Sequence, residues 1–416
     1  MKKLALFGGK KIREKPFPRY PIITSEEKNA VLEVLEDGNL STFVASPGES
    51  FFGGKKIREF EERFAKFIGT NFAVSFNSAT SALHAAVVAV GVEPGNEVIV
   101  PPYTFTSTAT SVLMHNAIPV FSDVKEDNYC LDPHKLEEKL SPLTSAIIPV
   151  HLFGHSCDMN EIMKFAHNKN LKVIEDCAQA HGGRYHDKNV GTIGDCGIFS
   201  FQETKNMTTG EGGMLVTNDE SVAKTAQMVR NHGEVLLPSQ TTRTYRSDIL
   251  GWGYRMTEME AALGVVQLSK LDKMNQERII LADYLTKKIN TINGLKHTKY
   301  DFVKHVYYVY AFSYDEDQVG IPREKFCEAV RAEGVPIFGG YVKPLYLNPL
   351  YMQRRAFAFK HYSGNAKYEK GICPTAELLN EKRLVLTPVC RPPATFADID
   401  DIYNAIIKVI DNKDEF

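Results

Sequence analysis

Three short segments of this chain carry side chains whose types and spacing suit chemistry on a carbonyl compound. The first is Phe199-Ser200-Phe201-Gln202-Glu203-Thr204-Lys205-Asn206-Met207-Thr208-Thr209-Gly210-Glu211-Gly212-Gly213, which places Lys205 between an apolar run and a glycine turn. A lysine amine attacks carbonyls when its ammonium is partly desolvated or lies near other positive charge. Alone, the same residue reads as a surface lysine in a connecting loop. The second is Val173-Ile174-Glu175-Asp176-Cys177-Ala178-Gln179-Ala180, where an acidic pair ends an apolar strand ahead of a turn of small residues. A carboxylate in that position points into a ligand crevice, where it can keep a pyridine nitrogen protonated for chemistry that uses the ring as an electron sink. An aspartate there serves equally well as a helix N-cap. The third is Asn77-Ser78-Ala79-Thr80-Ser81, which offers backbone N–H groups, hydroxyls and the positive end of a helix dipole to a phosphate. A simple capping turn has the same composition.

The elements that must position these segments follow a βαβ rhythm. Strands are expected at Phe72–Phe76, Glu97–Val100, Pro119–Phe121, Ala146–Val150, Lys172–Glu175 and Ile198–Phe201, with an amphipathic helix from Ser81 to Val90. The strands are short, continuously apolar and rich in Val and Ile, as in a mostly parallel sheet covered by helices on both faces. All three segments then fall at the carboxyl edge of one α/β sheet, where open sheets bind ligands. A helix is expected from Thr257 to Met274, a strand over Tyr307–Phe312 and a closing helix from Asp398 to Asp411. The weakening rhythm after Met274 suggests a large domain over 1–274, including an N-terminal arm, and a smaller α+β domain over 275–416, with a cleft between them.

Composition narrows the choices further. The 416 residues are 43% hydrophobic and 24% charged, with a net charge of −2 and both signs interleaved. That balance argues against a basic nucleic-acid face and for a small-molecule substrate. The seven cysteines are scattered with no Cys-x-x-Cys, so neither a disulfide framework nor a metal site is expected. Gly210-Glu211-Gly212-Gly213 lacks the spacing of a dinucleotide loop. The apolar stretch Leu4–Phe7 stops at Gly8-Gly9, no apolar run is long enough to cross a bilayer, and a cytoplasmic location is expected.

Taken together, Asn77 to Leu83, Tyr103-Thr104-Phe105, Glu175 to Ala180, Ser200 to Gly213 and Gly251 to Leu268 resemble the DegT/DnrJ/EryC1/StrS family of sugar aminotransferases. The resemblance covers nearly the whole chain and implies the aspartate-aminotransferase-like fold, pyridoxal 5′-phosphate fold type I. It implies an enzyme that moves an amino group from glutamate or glutamine to a keto-sugar, nucleotide-linked or phosphorylated, or to a keto-cyclitol, with pyridoxal 5′-phosphate as cofactor and pyridoxamine phosphate as its amino form. Carried over by position, Lys205 bears the cofactor and Asp176 pairs with its ring nitrogen. Phe105 stacks on the ring, Gln179 lies beside the phenolic oxygen, and the Ala79 N–H, Thr80 and Ser200 hold the phosphate. Family members form homodimers with the active site at the interface, and the partner commonly supplies an asparagine to the phosphate; Gly253 stands at that position here. A dehydratase of the same family has histidine in place of Lys205, and a ligand sensor that keeps the fold without turnover is the reading from another class.

Overall fold

The structure, a computed structural model, describes residues 3–44, 48–235, 241–242 and 245–416. The apolar runs pair into a seven-stranded sheet of β1 (Phe72–Phe76), β2 (Glu97–Val100), β3 (Ile118–Phe121), β4 (Thr144–Ile147), β5 (Lys172–Asp176), β6 (Cys196–Ser200) and β7 (Gly213–Thr217). Their order is β1-β7-β6-β5-β4-β2-β3. Only β7 runs against its neighbours, so the carboxyl ends of the other strands and the start of β7 share one edge. The register brings Ser200 and Phe76 opposite Gly213, and Asp176 opposite Ile198. The sheet is mostly parallel and flanked by helices, as the sequence led one to expect.

Helices cover the sheet because their apolar residues recur at helical spacing. Lys55–Ile68 buries Ile57, Phe60, Phe64 and Ile68 on one face. The 32-residue helix Glu258–Ile289 starts at a capping box in which the Thr257 side chain and Glu260 satisfy each other's backbone N–H groups. Its first half packs on Lys55–Ile68, and its second half enters a separate apolar core with Leu281, Leu285 and Ile289. That second core also holds Leu4 from the N-terminal arm, one face of the helix Phe396–Asp411, and residues of a four-stranded antiparallel sheet. The sheet comprises β8 (Leu295–Lys296), β9 (Tyr310–Tyr314), β10 (Phe338–Gly339) and β11 (Leu384–Thr387), in the order β8-β9-β11-β10. Among the described residues no helix is long and apolar enough to cross a membrane.

Local boundaries move where tertiary hydrogen bonds outbid the apolar pattern. The strand expected over Tyr307–Phe312 begins only at Tyr310. Before it, the Val306 and Tyr308 N–H groups donate to Gly154 O and Phe153 O, and Tyr307 turns into the left-handed region at φ 46°. The strand expected over Ala146–Val150 is Thr144–Ile147, with Val150 making a single bridge to Asp176. The helix expected to end at Met274 continues to Ile289, because its apolar face is taken up by the second core.

Gly264 marks a close approach between the helices Glu258–Ile289 and Lys55–Ile68: a Cβ there would lie 2.7 Å from Phe60 Cζ. Replacing it with alanine forces the Phe60 ring out of place. Gly264→Ala is expected to lower stability by about 1–3 kcal/mol, read as a lower midpoint of denaturant unfolding with an unchanged slope.

Candidate active site

Lys205 sits in the loop that joins β6 to β7, and the loop is tied down on every side of it. The Phe201 N–H donates to Gly212 O (2.9 Å), the Thr209 N–H to Phe201 O (2.9 Å) and the Lys205 N–H to Gln202 O (2.9 Å). The neighbouring Asn206 is fully buried and donates through Nδ2 to Asn275 Oδ1 and Val306 O, both at 2.9 Å. Tyr20 from the N-terminal arm donates its hydroxyl to Lys205 O. With its backbone fixed, the half-buried lysine places Nζ over the Tyr308 ring, 4.5 Å from the centroid. The Tyr308 hydroxyl in turn lies 2.8 Å from Thr204 Oγ1.

Asp176 ends β5 and is 4% exposed. Its Oδ2 accepts from Thr108 Oγ1 at 2.8 Å and its Oδ1 from the Ala178 N–H at 3.1 Å. Burial pushes the carboxyl above the ordinary aspartate range, while those bonds and the charge of Lys205 pull the other way. Among the described residues no cation forms a salt bridge to it, so the site holds an acid in want of a positively charged partner. The adjoining Glu175 is spent on structure: its carboxylate accepts from the Gly191, Ile193 and Gly194 N–H groups and pairs with His151 Nε2 at 3.0 Å. The donor atoms of His151, Glu175 and Cys177 fall within 4.8 Å of one another.

Ser78 caps the helix Ala79–Ala89, its Oγ accepting from the Ser81 N–H at 3.1 Å. The first N–H groups of that helix lack intrahelical acceptors and face the sheet edge. Thr80 Oγ1 lies 2.6 Å from Ser107 Oγ, and Ser200 follows at the end of β6. Gly213 keeps this corner open, since a Cβ there would sit 2.4 Å from Ser78 O and 2.6 Å from the Ala79 nitrogen.

All seven residues expected from the sequence line one cavity of about 450 Å³: Lys205, Asp176, Gln179, Ser200, Ala79, Thr80 and Phe105. Phe105 stands at its rim with 60% of its surface exposed. Gln179 is buried, accepting from the Phe153 N–H at 2.7 Å and donating to the Tyr341 hydroxyl at 3.0 Å. The cavity also has walls that sequence reasoning missed. Thr108 lies in the helix Ser107–Met114, just past the Tyr103-Thr104-Phe105 motif, whereas Tyr308 and Tyr341 come from the part of the chain around the second sheet. No local pattern marks either tyrosine. Gly253 lies beside His232, with a Cβ position 3.4 Å from its Cε1.

The set fits a phosphorylated pyridine aldehyde: an amine for the carbonyl, a buried acid for the ring nitrogen, and N–H and hydroxyl donors at a helix start for the phosphate. A model of the DegT/DnrJ/EryC1/StrS aminotransferase family matches residues 22–387. The chain is 37% identical over 340 residues to the GDP-perosamine synthase of Caulobacter vibrioides, covering 80% of this chain and 85% of that protein. It is 33% identical over 421 residues to a putative L-glutamine:3-amino-2,3-dideoxy-scyllo-inosose aminotransferase of Streptoalloteichus tenebrarius, covering 99% and 98%. Among solved structures, the aminotransferase from Psychrobacter cryohalolentis superposes with a TM-score of 0.84 at 30% identity, covering 96% of this chain and all of that one.

The lone buried charge has a measurable cost. An acid whose pKa the fold raises destabilises the folded state in full above the folded-state pKa, and the cost shrinks as the pH falls through that value and is gone below the unfolded value near 3.8. In cofactor-free protein at pH 7, Asp176→Asn is expected to raise stability by about 1–3 kcal/mol. That gain should shrink on acidification toward pH 3.8, as followed by denaturant unfolding at a series of pH values.

Proposed function

The chain belongs to the DegT/DnrJ/EryC1/StrS aminotransferase family, and from that membership we propose that Lys205 and Asp176 are its catalytic pair. The enzyme is an aminotransferase that depends on pyridoxal 5′-phosphate. When bound, this cofactor supplies an aldehyde carbon that takes up and hands on the amino group, and a ring that draws off the electron pair left on the donor's carbon. The observation that carries the assignment is geometric: amine, buried carboxylate and helix start open onto the same cavity.

In this reading Lys205 Nζ bears the cofactor at rest. Once free, Lys205 Nζ would serve as the base and acid that takes a proton from the donor's α-carbon and returns it to the cofactor's aldehyde carbon on the other side of the shared nitrogen. The Tyr308 ring offers the freed ammonium a place to rest between these transfers. Asp176, steadied by Thr108, would keep the ring nitrogen protonated. The Ala79 N–H, Thr80 and Ser200 would hold the phosphate, with Phe105 and Gln179, which line the same cavity, beside the ring.

The donor in this proposal is glutamate or glutamine, and the acceptor a keto-sugar or keto-cyclitol, as the names of the relatives suggest. The chain acts as a homodimer with the site at the interface. Support comes from apolar residues left in water: Leu32 and Leu35 on the helix Ser25–Asp37, Leu250 at 80% exposure, and Phe105 at the cavity rim. A cytoplasmic location is consistent with cysteines that are all free and buried.

Lys205→Ala is expected to abolish turnover and the visible absorbance of lysine-bound cofactor. Full activity in that variant, or wild-type absorbance unmoved by glutamate and glutamine, refutes the assignment. Sedimentation equilibrium is expected to return twice the chain mass of 46.6 kDa.

A further inference from the structure

Phe153 joins two residues of the cavity without lining it. Its N–H donates to Gln179 Oε1 at 2.7 Å, and its carbonyl accepts from the Tyr308 N–H at 2.8 Å and from His305 Nε2 at 3.1 Å. Gln179 and Tyr308 face the cavity, whereas Phe153 and His305 stand behind its wall. Phe153 is 1% exposed and adopts φ 58° and ψ 7°, in the left-handed region. A bulky side chain at that backbone conformation is strained, and it stays there only where its surroundings hold it. The three hydrogen bonds to its N–H and carbonyl, with a fourth from the Val306 N–H to Gly154 O at 3.1 Å, hold it here.

His305 supplies the side chain in that set. A carbonyl oxygen only accepts, so the bond requires the proton on Nε2. Neighbouring rings fix the imidazole: it stacks on Tyr307 with centroids 3.8 Å apart, meets His155 edge-on at 5.2 Å and lies 5.9 Å from His297, nearly parallel to it. Those two histidines are anchored in turn, each through Nδ1 at 2.7 Å, His155 to Ser156 O and His297 to Ala311 O. Burial, His155, His297 and Lys299 hold the pKa of His305 well below the ordinary histidine value, against the pull of Phe153 O. Asp283 acts on His297, on the far side of the stack. The ring is therefore neutral at pH 7 and has one proton to give.

We propose that His305 is a positioning residue for the amino transfer: through the Phe153 carbonyl it seats Tyr308 beneath Lys205 Nζ, and through the Phe153 N–H it orients Gln179. The inference rests on the reading of Lys205 as the reacting amine and adds a residue that this reading left unused. The Tyr308 ring lies 4.5 Å from Lys205 Nζ, and its hydroxyl lies 2.8 Å from Thr204 Oγ1. A cation over an aromatic face is stabilised only while the ring stays under it. Gln179 is held at both ends, its Oε1 by Phe153 and its Nε2 by the Tyr341 hydroxyl at 3.0 Å. Without the His305 donor the Phe153 carbonyl loses one of its two partners and the strained residue is free to relax, which moves both cavity residues together.

Two variants separate the donor from the ring: His305→Phe keeps an aromatic ring on Tyr307 and removes the donor, while His305→Gln keeps a donor near the Nε2 position. Cofactor-free protein is mixed with pyridoxal 5′-phosphate, and the rate at which lysine-bound absorbance appears is followed across pH to give the midpoint of the amine. Loss of the ring beneath the ammonium destabilises the charged form, so the midpoint should fall by about 0.5 pH unit in His305→Phe and stay within about 0.2 of wild type in His305→Gln. In the loaded enzyme kcat should drop about 10-fold in His305→Phe and no more than about threefold in His305→Gln. Tyr308→Leu should lower the midpoint by the same amount, and His305→Phe added to it should change the midpoint little further. An unmoved midpoint and kcat in His305→Phe, equal losses in the two His305 variants, or shifts that add in the double variant overturn the inference. Where His305→Phe does not fold, nitrogen-15 NMR of the wild-type imidazoles decides: a neutral His305 with its proton on Nε2 from about pH 6 to 8 is expected, and a charged ring or a proton on Nδ1 overturns the role. If pyridoxal 5′-phosphate fails to react with the wild-type lysine, the Lys205 reading falls and this inference with it; reaction in wild type with unmoved variants removes the role of His305 alone.

Discussion

A carboxylate is held out of water at the end of a parallel strand, and much of the site exists to tolerate it. Asp176 lines the cavity, largely buried, with two side-chain hydrogen bonds and no bonded cation among the described residues. In a low-dielectric setting an unpaired charge is expensive, and the same burial would strengthen the proposed pairing with a protonated ring nitrogen, since there is little water to screen it. Thr108 limits the cost in the meantime by donating to the carboxylate, and Glu175, one residue earlier, stabilises the turn beyond the strand rather than the ligand.

The topology turns that local feature into a site. Because only β7 is reversed, strand ends carrying a capped helix, an acid and a lysine loop meet at one edge. Gly213 opens β7 where a side chain would fill the space against Ser78. The helix Glu258–Ile289 then connects this edge to the second core: Asn275 holds Asn206 next to the lysine, and Arg278 stands one turn further on. A single rigid element thus carries the second sheet's position to the lysine loop.

Around that sheet lie the residues that finish the cavity. Tyr308 supplies a ring under the amine and Tyr341 a hydroxyl to Gln179. Arg391, from the loop after β11, reaches the tyrosine of the N-terminal arm. Segments separated by hundreds of residues therefore meet around the lysine loop.

What could be read from the chain alone was whatever depends on local order. Continuous Val- and Ile-rich runs encode buried parallel strands, Ser78 and Thr257 encode helix starts, and the residues just past the strands are those that an α/β sheet presents to a ligand. Lys205, Asp176 and the Ala79–Thr80 turn were legible for that reason, Gln179, Ser200 and Phe105 through the family resemblance, and all of them line one cavity. Thr108, Tyr308, Tyr341 and the bond from His305 to the Phe153 carbonyl were not. Their positions follow from long-range packing, in which the chain around Tyr307 leaves the strand pattern to bond with the Phe153 loop. Periodicity reports which face of an element is buried, and it carries no information about which distant element will cover that face; only the folded chain decides this, because burial and charge pairing are properties of the assembled neighbourhood.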